Sequence, residues 1–205
     1  MDISFINTLG EEVVGPVQRE EGLLLFALTR VIRPRVVVEL GYGWGASASV
    51  LLAGLAADAE LYSVDVAPKV PVSQRTDVRF HFVNKDLRDL APADIQDRTL
   101  ELLFFDAAHD SLETKQTAYD SLADNLSAES LVIIHDTGVW RKEFMGAEAV
   151  AIKNGTWIAP DLYVHQPNER AFAKWLVDQR GYRRIDLFST RCFRHGLSIL
   201  QKPQW

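Results

Sequence analysis

The sequence predicts an α/β fold with a mostly parallel sheet covered on both faces. Three observations predict it: short apolar runs rich in β-branched and aromatic residues recur along the chain, helical patterns lie between them, and the intervals match strand–helix–strand units. The predicted strands are Val36–Leu40, Glu60–Asp65, Val78–Asn84, Leu100–Asp106 and Leu131–His135. A first helix, Glu21–Ile32, is apolar nearly all round and ends before Pro34, which cannot continue it. A second, Ala46–Ala56, presents Leu51, Leu52 and Leu55 on one face, and a third, Ser111–Leu126, repeats Leu112, Tyr119, Leu122 and Leu126 at helical offsets. Trp140–Val164 has no clean period and reads as partly irregular; with the residues around it, 138–166, it is a candidate lid over a site, the alternative being a peripheral element with its own apolar cluster. Pro167 then opens a helix with Phe172, Trp175 and Leu176 facing inward, and Gly181 stands where a C-cap belongs. Tyr182–Phe188 and Arg191–Leu200 complete the sheet as an antiparallel pair, giving seven strands.

Composition narrows the function. At 205 residues and 47% hydrophobic, the chain builds one core, so residues 1–205 are read as a single domain with an N-terminal helical segment over 1–35. No apolar run approaches the roughly 20 residues of a membrane span, and the N-terminal residues lack the pattern of a signal peptide, so a cytoplasmic protein without membrane contact is expected. Net charge is −6 with both signs interspersed, which argues against nucleic acid; the five arginines between Arg180 and Arg194 fit the solvated edge of a terminal hairpin. Cys192 is the only cysteine, so neither an internal disulfide nor a cysteine-built zinc site is available.

The sharpest motif is VVVELGYGWGAS, Val36–Ser47, in which a buried strand ends in an acid and Gly41, Gly43 and Gly45 alternate before a helix. Glycines let the backbone turn tightly and approach a ligand, and the helix N-terminus offers free N–H groups, so this is a nucleotide-type loop with Ser47 in its first helical turn. The spacing Gly41, Gly43, Ala46 also fits a dinucleotide-binding Rossmann loop, and the loop alone does not decide. Glu39 tips the reading: a carboxylate is poorly placed beside a pyrophosphate but suits the ammonium group of S-adenosylmethionine. Asp65, ending the second strand in YSVDVAP, suits a ribose diol under either reading. Asp86, in VNKDLRDL, lies where an adenine amino group needs an acceptor, or simply forms a turn.

The series VVVELGYGWG, LYSVDV, LLFFDAAHD and LVIIHDT, in that order and at these intervals, resembles the class I S-adenosylmethionine-dependent methyltransferases. It is most similar to the branch with the macrocin and mycinamicin sugar O-methyltransferases and cephalosporin hydroxylase-like proteins, and more distantly to catechol O-methyltransferase. The likeness covers Glu21–Thr137 and HGLSIL of the final strand and is weak over Gly138–Ser189. It implies a Rossmann-like sheet of seven strands with an antiparallel terminal hairpin, a small-molecule acceptor and, by analogy with many relatives, a homodimer.

Reactive groups in open α/β sheets gather beyond the carboxyl ends of the strands. The fourth strand ends in Asp106, His109 and Asp110 and the fifth in His135, Asp136 and Thr137, so adjacent strands would bring Asp106 and Asp136 face to face as the start of a divalent-metal site, Asp106 also bordering the cofactor. The resemblance assigns Asp106 and Asp136 as metal ligands, the residue at 135 as a third, and His109 as the general base that takes a hydroxyl proton. His135 departs from the sugar O-methyltransferases, which carry a carboxylate there. Because Mg²⁺ prefers oxygen, the substitution favours Mn²⁺ or Fe²⁺ and leaves a metal-free site open. Tyr42, Thr137, Trp140 and His165 border the expected pocket, with ordinary packing as the alternative, and His81 reads as the polar face of a strand.

The function expected is therefore methyl transfer from S-adenosylmethionine to a hydroxyl of a small molecule, assisted by a divalent metal. Two rivals stand beside it. One is a methyltransferase-fold protein with another role, as a hydroxylase, a cyclase or a noncatalytic partner. The other is an NAD(P)-dependent oxidoreductase, which would need a Tyr and Lys pair for hydride transfer that the sequence does not display.

Overall fold

The computed structural model describes residues 3–9, 17–107, 110–141, 156–164, 166–189 and 193–203. Along them run α1 (Arg19–Ile32), β1 (Val36–Leu40), α2 (Ala46–Gly54), β2 (Glu60–Val64), β3 (Phe80–Val83), β4 (Leu100–Phe105), α3 (Leu112–Leu122), β5 (Leu126–His135), β6 (Val139–Arg141), β7 (Thr156–Ala159), β8 (Leu162–Val164), α4 (Pro167–Arg180), β9 (Arg183–Ser189) and β10 (Phe193–Gln201). Short 3-10 turns begin at Ser4, Val72, Leu87, Pro92 and Ala123. Seven strands form one sheet in the order β3-β2-β1-β4-β5-β10-β9. β1 to β5 are mutually parallel, whereas β10 runs antiparallel to both β5 and β9, as the sequence predicts.

Strand order and alternation together position the site. The chain leaves β1 toward β2 and β3 and then crosses back to β4 on the other side of β1, so the sheet's switch point falls between β1 and β4. β1 is buried along its whole length. Its side chains alternate faces: Val36, Val38 and Leu40 pack with Tyr119, Phe172 and Leu176 of α3 and α4, while Val37 packs with Leu25, Val50 and Leu51 of α1 and α2. The same parity sends Val132 and Ile134 of β5 toward α3 and α4, and Ile133 toward α1 and α2. Two polar side chains, Glu39 and His135, thereby inherit the α1/α2 face at the strands' carboxyl ends. Each fully buried Val, Leu, Ile or Phe contributes roughly 1.5–3 kcal/mol, which these two layers sum over most of the sheet.

Several boundaries differ from the sequence reading. The third helix stops at Leu122 rather than Leu126, and β5 begins at Leu126 rather than Leu131, because Leu126 pairs with Leu100 and draws the polar stretch Ser127–Ser130 into extended backbone. The third strand is only Phe80–Val83, since the Asp77 carboxylate accepts from the Arg79 N–H at 3.0 Å and holds the preceding residues in a turn. Trp140–Val164 is more regular than its composition suggests where it is described: β6, β8 and β7 form an antiparallel three-stranded sheet around the rings of Trp140, Tyr163 and Trp157. Among the described residues, no helix is long and apolar enough to cross a membrane.

The turn out of β1 is a point of close approach. Gly41 has φ +102°, and a Cβ there would lie 2.5 Å from the Asp106 carbonyl oxygen, whereas Gly43, at φ +48°, has open space where its Cβ would be. Gly41→Ala is therefore expected to cost about 3 kcal/mol or more, combining backbone strain with a clash that no flexible side chain can relieve. Gly43→Ala should cost only about 1 kcal/mol, from the left-handed conformation. Urea unfolding of the two variants checks the difference.

Candidate active site

The glycine loop is braced from the second strand. Asp65, the first residue past β2, accepts the Tyr42 N–H at 3.0 Å and the Gly43 N–H at 2.8 Å on Oδ2, and the Ala67 N–H at 2.7 Å on Oδ1. One carboxylate thus holds two consecutive amides of the loop in the turn that precedes α2. The β2–β3 connection adds a clamp that the sequence reading missed. Arg75 donates from Nε to the Tyr42 hydroxyl at 2.7 Å and from its guanidinium to the Gly45 carbonyl and the Ser49 hydroxyl, with its charge 5.2 Å from the centre of each of the Tyr42 and Phe80 rings. Tyr42 is consequently buried against Phe80 and Phe82. Nothing in the spacing of Arg75 from the motif signals that contact.

Glu39 lies beneath this loop, fully buried. The Ser63 hydroxyl donates to its Oε2, and its Oε1 has no hydrogen-bond partner. Burial pushes its pKa up to about 7, against the opposing pull of the nearby Ser47 and Ser63 hydroxyls. A buried carboxylate with an unsatisfied oxygen, set below a glycine turn, is electrostatically prepared for a cation. Asp86, by contrast, is committed locally: it caps the turn after β3 by accepting the Arg88 N–H at 2.9 Å and grips the Arg88 guanidinium at 2.9 and 2.6 Å. That pair and the amide bond hold its carboxyl down at about 2.

The ends of β4 and β5 meet as expected and bring a third element with them. His135, fully buried, donates from Nδ1 to Asp106 Oδ1 at 2.8 Å and from Nε2 to Glu21 Oε2 at 3.0 Å. Burial opposes the charged ring, but Asp106, Asp136 and Glu21 together raise its pKa well above the usual histidine range. Burial likewise opposes the Glu21 carboxylate; His135 outweighs it and brings the pKa down to about 2. Asp136 leaves the strand at φ +62°, an uncommon conformation for a non-glycine residue, with its carboxylate 3.6 Å from His135 Nδ1 and 3.9 Å from His195 Nδ1. Burial raises its pKa to about 8 despite His135, with Asp106, Glu169 and Glu21 adding to the rise. Asp106, His135 and Asp136 each offer one ligand atom, all within 4.8 Å of one another.

Residues beyond the ends of β4 and β5 shape this end. The turn after Asp136 packs on β10 without room for side chains: the Gly138 N–H donates to the His195 carbonyl at 2.8 Å, and a Cβ on Gly196 would lie 2.5 Å from the Gly138 nitrogen. Behind β4, the buried Lys115 ammonium donates to the Ala107 carbonyl at 2.5 Å and pairs with Glu169 at 3.0 Å, fixing the backbone that leaves Asp106. Thr137 accepts from the Ser198 hydroxyl at 2.9 Å and is buried, as is Trp140. His81 stacks on Tyr62 at 4.7 Å, in keeping with a strand surface. His109, His165 and Cys192 lie outside the described residues.

The raised Glu39 pKa has a measurable consequence. In the folded protein Glu39 keeps its proton up to about pH 7, whereas unfolded it loses it near 4.5. Between those values the native state binds the extra proton, so its stability falls as pH rises, by up to about 3 kcal/mol from this group, and levels off above pH 7. Glu39→Gln is expected to abolish that part of the decline and be more stable than the parent above pH 7, as denaturant unfolding across pH 4–8 will test.

Residues 38–137 match the family model described as a methyltransferase domain. No curated protein sequence matches the chain significantly. Among solved structures, the chain is similar to the O-methyltransferase TomG of Streptomyces achromogenes, involved in tomaymycin synthesis and solved with S-adenosylmethionine, at TM-score 0.64 and 16% identity over 98% of this chain and 90% of that one. The methyltransferase PaMTH1 of Podospora anserina, bound to S-adenosylhomocysteine, has TM-score 0.64 and 15% identity over 98% and 86%. An O-methyltransferase of Bacillus cereus in complex with S-adenosylhomocysteine has TM-score 0.64 and 14% identity over 96% and 87%. The chain therefore carries a methyltransferase domain over residues 38–137, set in the sheet order that these solved structures share.

Proposed function

We propose that this protein transfers the methyl group of S-adenosylmethionine to a hydroxyl of a small molecule. The observation that carries the proposal is a juxtaposition: the glycine loop, with Glu39 below it and Asp65 bracing it, stands next to the Asp106–His135–Asp136 cluster at the ends of neighbouring strands. When bound, the cofactor supplies a sulfonium methyl already activated for displacement. The protein's part is positioning: Glu39 would hold the ammonium group and Asp65 the ribose, and the acceptor oxygen would approach from the side of β4 and β5.

A hydroxyl becomes a good nucleophile when its proton is taken up or a cation stabilises its charge, and the cluster is suited to either. For a divalent cation, Asp106 and Asp136 provide hard oxygen donors from adjacent strands, and the cation would lower the pKa of the acceptor hydroxyl. Both His135 nitrogens already face carboxylates, Nδ1 that of Asp106 and Nε2 that of Glu21, so Nδ1 could join the cation only by giving up its bond to Asp106. Its place is to hold Asp106. His109, three residues after Asp106, is the proposed base. Residues 138–166, which begin two residues past Asp136, are the proposed wall of the acceptor pocket.

Calorimetric titration of metal-stripped protein with S-adenosylmethionine, S-adenosylhomocysteine and NADH tests the cofactor. Micromolar binding of the first two is expected, weakened at least about tenfold in Glu39→Ala and in Asp65→Ala by the loss of charge-assisted contacts. Binding of NADH alone, or of none of the three, would refute the proposal. With the cofactor product bound, Mn²⁺ should then bind the parent and fail to bind Asp106→Asn.

A further inference from the structure

Glu21 is an unusual residue to find at zero exposure in the first turn of an amphipathic helix. A helix-capping acid needs one or two amide partners, usually at the surface. Glu21 has the Gln18 N–H at 3.0 Å and His135 Nε2 at 3.0 Å on Oε2, and the His195 and Gly196 N–H groups, each at 3.1 Å, on Oε1. These four donors come from Gln18 at the N-cap of α1, from β5 and from β10, and they occupy the acceptor sites that a carboxylate has. The ring that Glu21 holds is held in turn by Asp106, whose side chain is 13% exposed whereas those of Glu21 and His135 are not exposed at all. Pinned at both nitrogens, the ring can neither flip nor swing, so the direction it imposes on Asp106 is set from α1.

We propose that Glu21 is a positioning residue for the reacting groups: through the His135 ring it fixes the Asp106 carboxylate, and through the His195 and Gly196 amides it ties the bend of β10 to the same anchor. The inference rests on reading the ends of β4 and β5 as the place of methyl transfer. It deepens that reading by making α1 part of the active site, although α1 lies outside the matched domain. Side-chain order at Asp106 is then established before any ligand arrives, which is how a reacting group is kept from spending binding energy on its own alignment.

The test follows the ring proton on His135 Nδ1, which touches Asp106 and not Glu21. In the ¹⁵N-histidine-labelled parent this proton should resonate far downfield and exchange slowly with water. Glu21→Gln, which keeps the shape but removes the charge, is expected to move it upfield and speed its exchange about tenfold or more, while affinity for S-adenosylhomocysteine stays within about twofold. Glu21→Asp, which keeps the charge but shortens the reach, should show the same loss and decides the matter if the Gln variant does not fold. An Nδ1 proton unchanged in shift and exchange in a folded variant would overturn the proposal. Failure of the methyltransferase reading has a separate signature: a parent protein that binds neither S-adenosylmethionine nor S-adenosylhomocysteine, whatever its ring proton does.

Discussion

The His135 ring is buried away from water and held on both sides by carboxylates, Glu21 on one and Asp106 on the other. Each partner depends on the others. Burying an isolated carboxylate or imidazolium is costly, and removing one member of such an arrangement leaves an uncompensated charge worth about 3–5 kcal/mol. The arrangement exists only when α1 has docked on the sheet and β10 has paired with β5, because Glu21 reaches across from one and its other oxygen is occupied by amides of the other. The site is thus assembled by the same event that closes the core on the α1/α2 face.

The cofactor loop obeys a different logic, that of crowded backbone. Gly41 admits no side chain because the ends of β1 and β4 come together there, and the Asp106 N–H donates to the Leu40 carbonyl at 2.8 Å as the strands part. Asp65 then holds the loop's amides from β2, so one carboxylate shapes the turn, and its proposed ribose contact would use the same group. Arg75 closes the far side by gripping Gly45 and Tyr42. Loop shape and ligand chemistry here share the same few polar atoms.

Fold by itself leaves open what such a molecule does, since the methyltransferase sheet supports many acceptors and some unrelated activities. Three local features mark this end of the sheet: a histidine at the end of β5, a carboxylate from α1 that receives it, and a buried Lys115–Glu169 pair that anchors the backbone beyond Asp106. The last pair links α3 to α4 behind β4. Burial raises the Glu169 pKa against the pull of Lys115, which marks the pair as part of the same crowded field of charge that surrounds Asp136.

Local pattern was enough for the strands and for the chemistry carried on contiguous residues. Val36–Leu40 announces a buried strand, the Gly41, Gly43, Gly45 alternation announces a ligand loop, and Asp65, Asp106 and Asp136 fall at strand ends because hydrophobic runs stop there. Boundaries such as Leu126 escaped because they depend on pairing with Leu100, a residue of another strand. The partners escaped for the same reason: Glu21 lies 114 residues from His135 and 174 from His195, and within its own helix it looks like an ordinary acid of the first turn. By itself, the sequence determined which residues are apolar, where the backbone turns and which side chains carry charge, since these are properties of short stretches. Only the tertiary structure decided that His135 would be buried with a carboxylate on each side, because the partners of a buried group are the neighbours that folding brings to it.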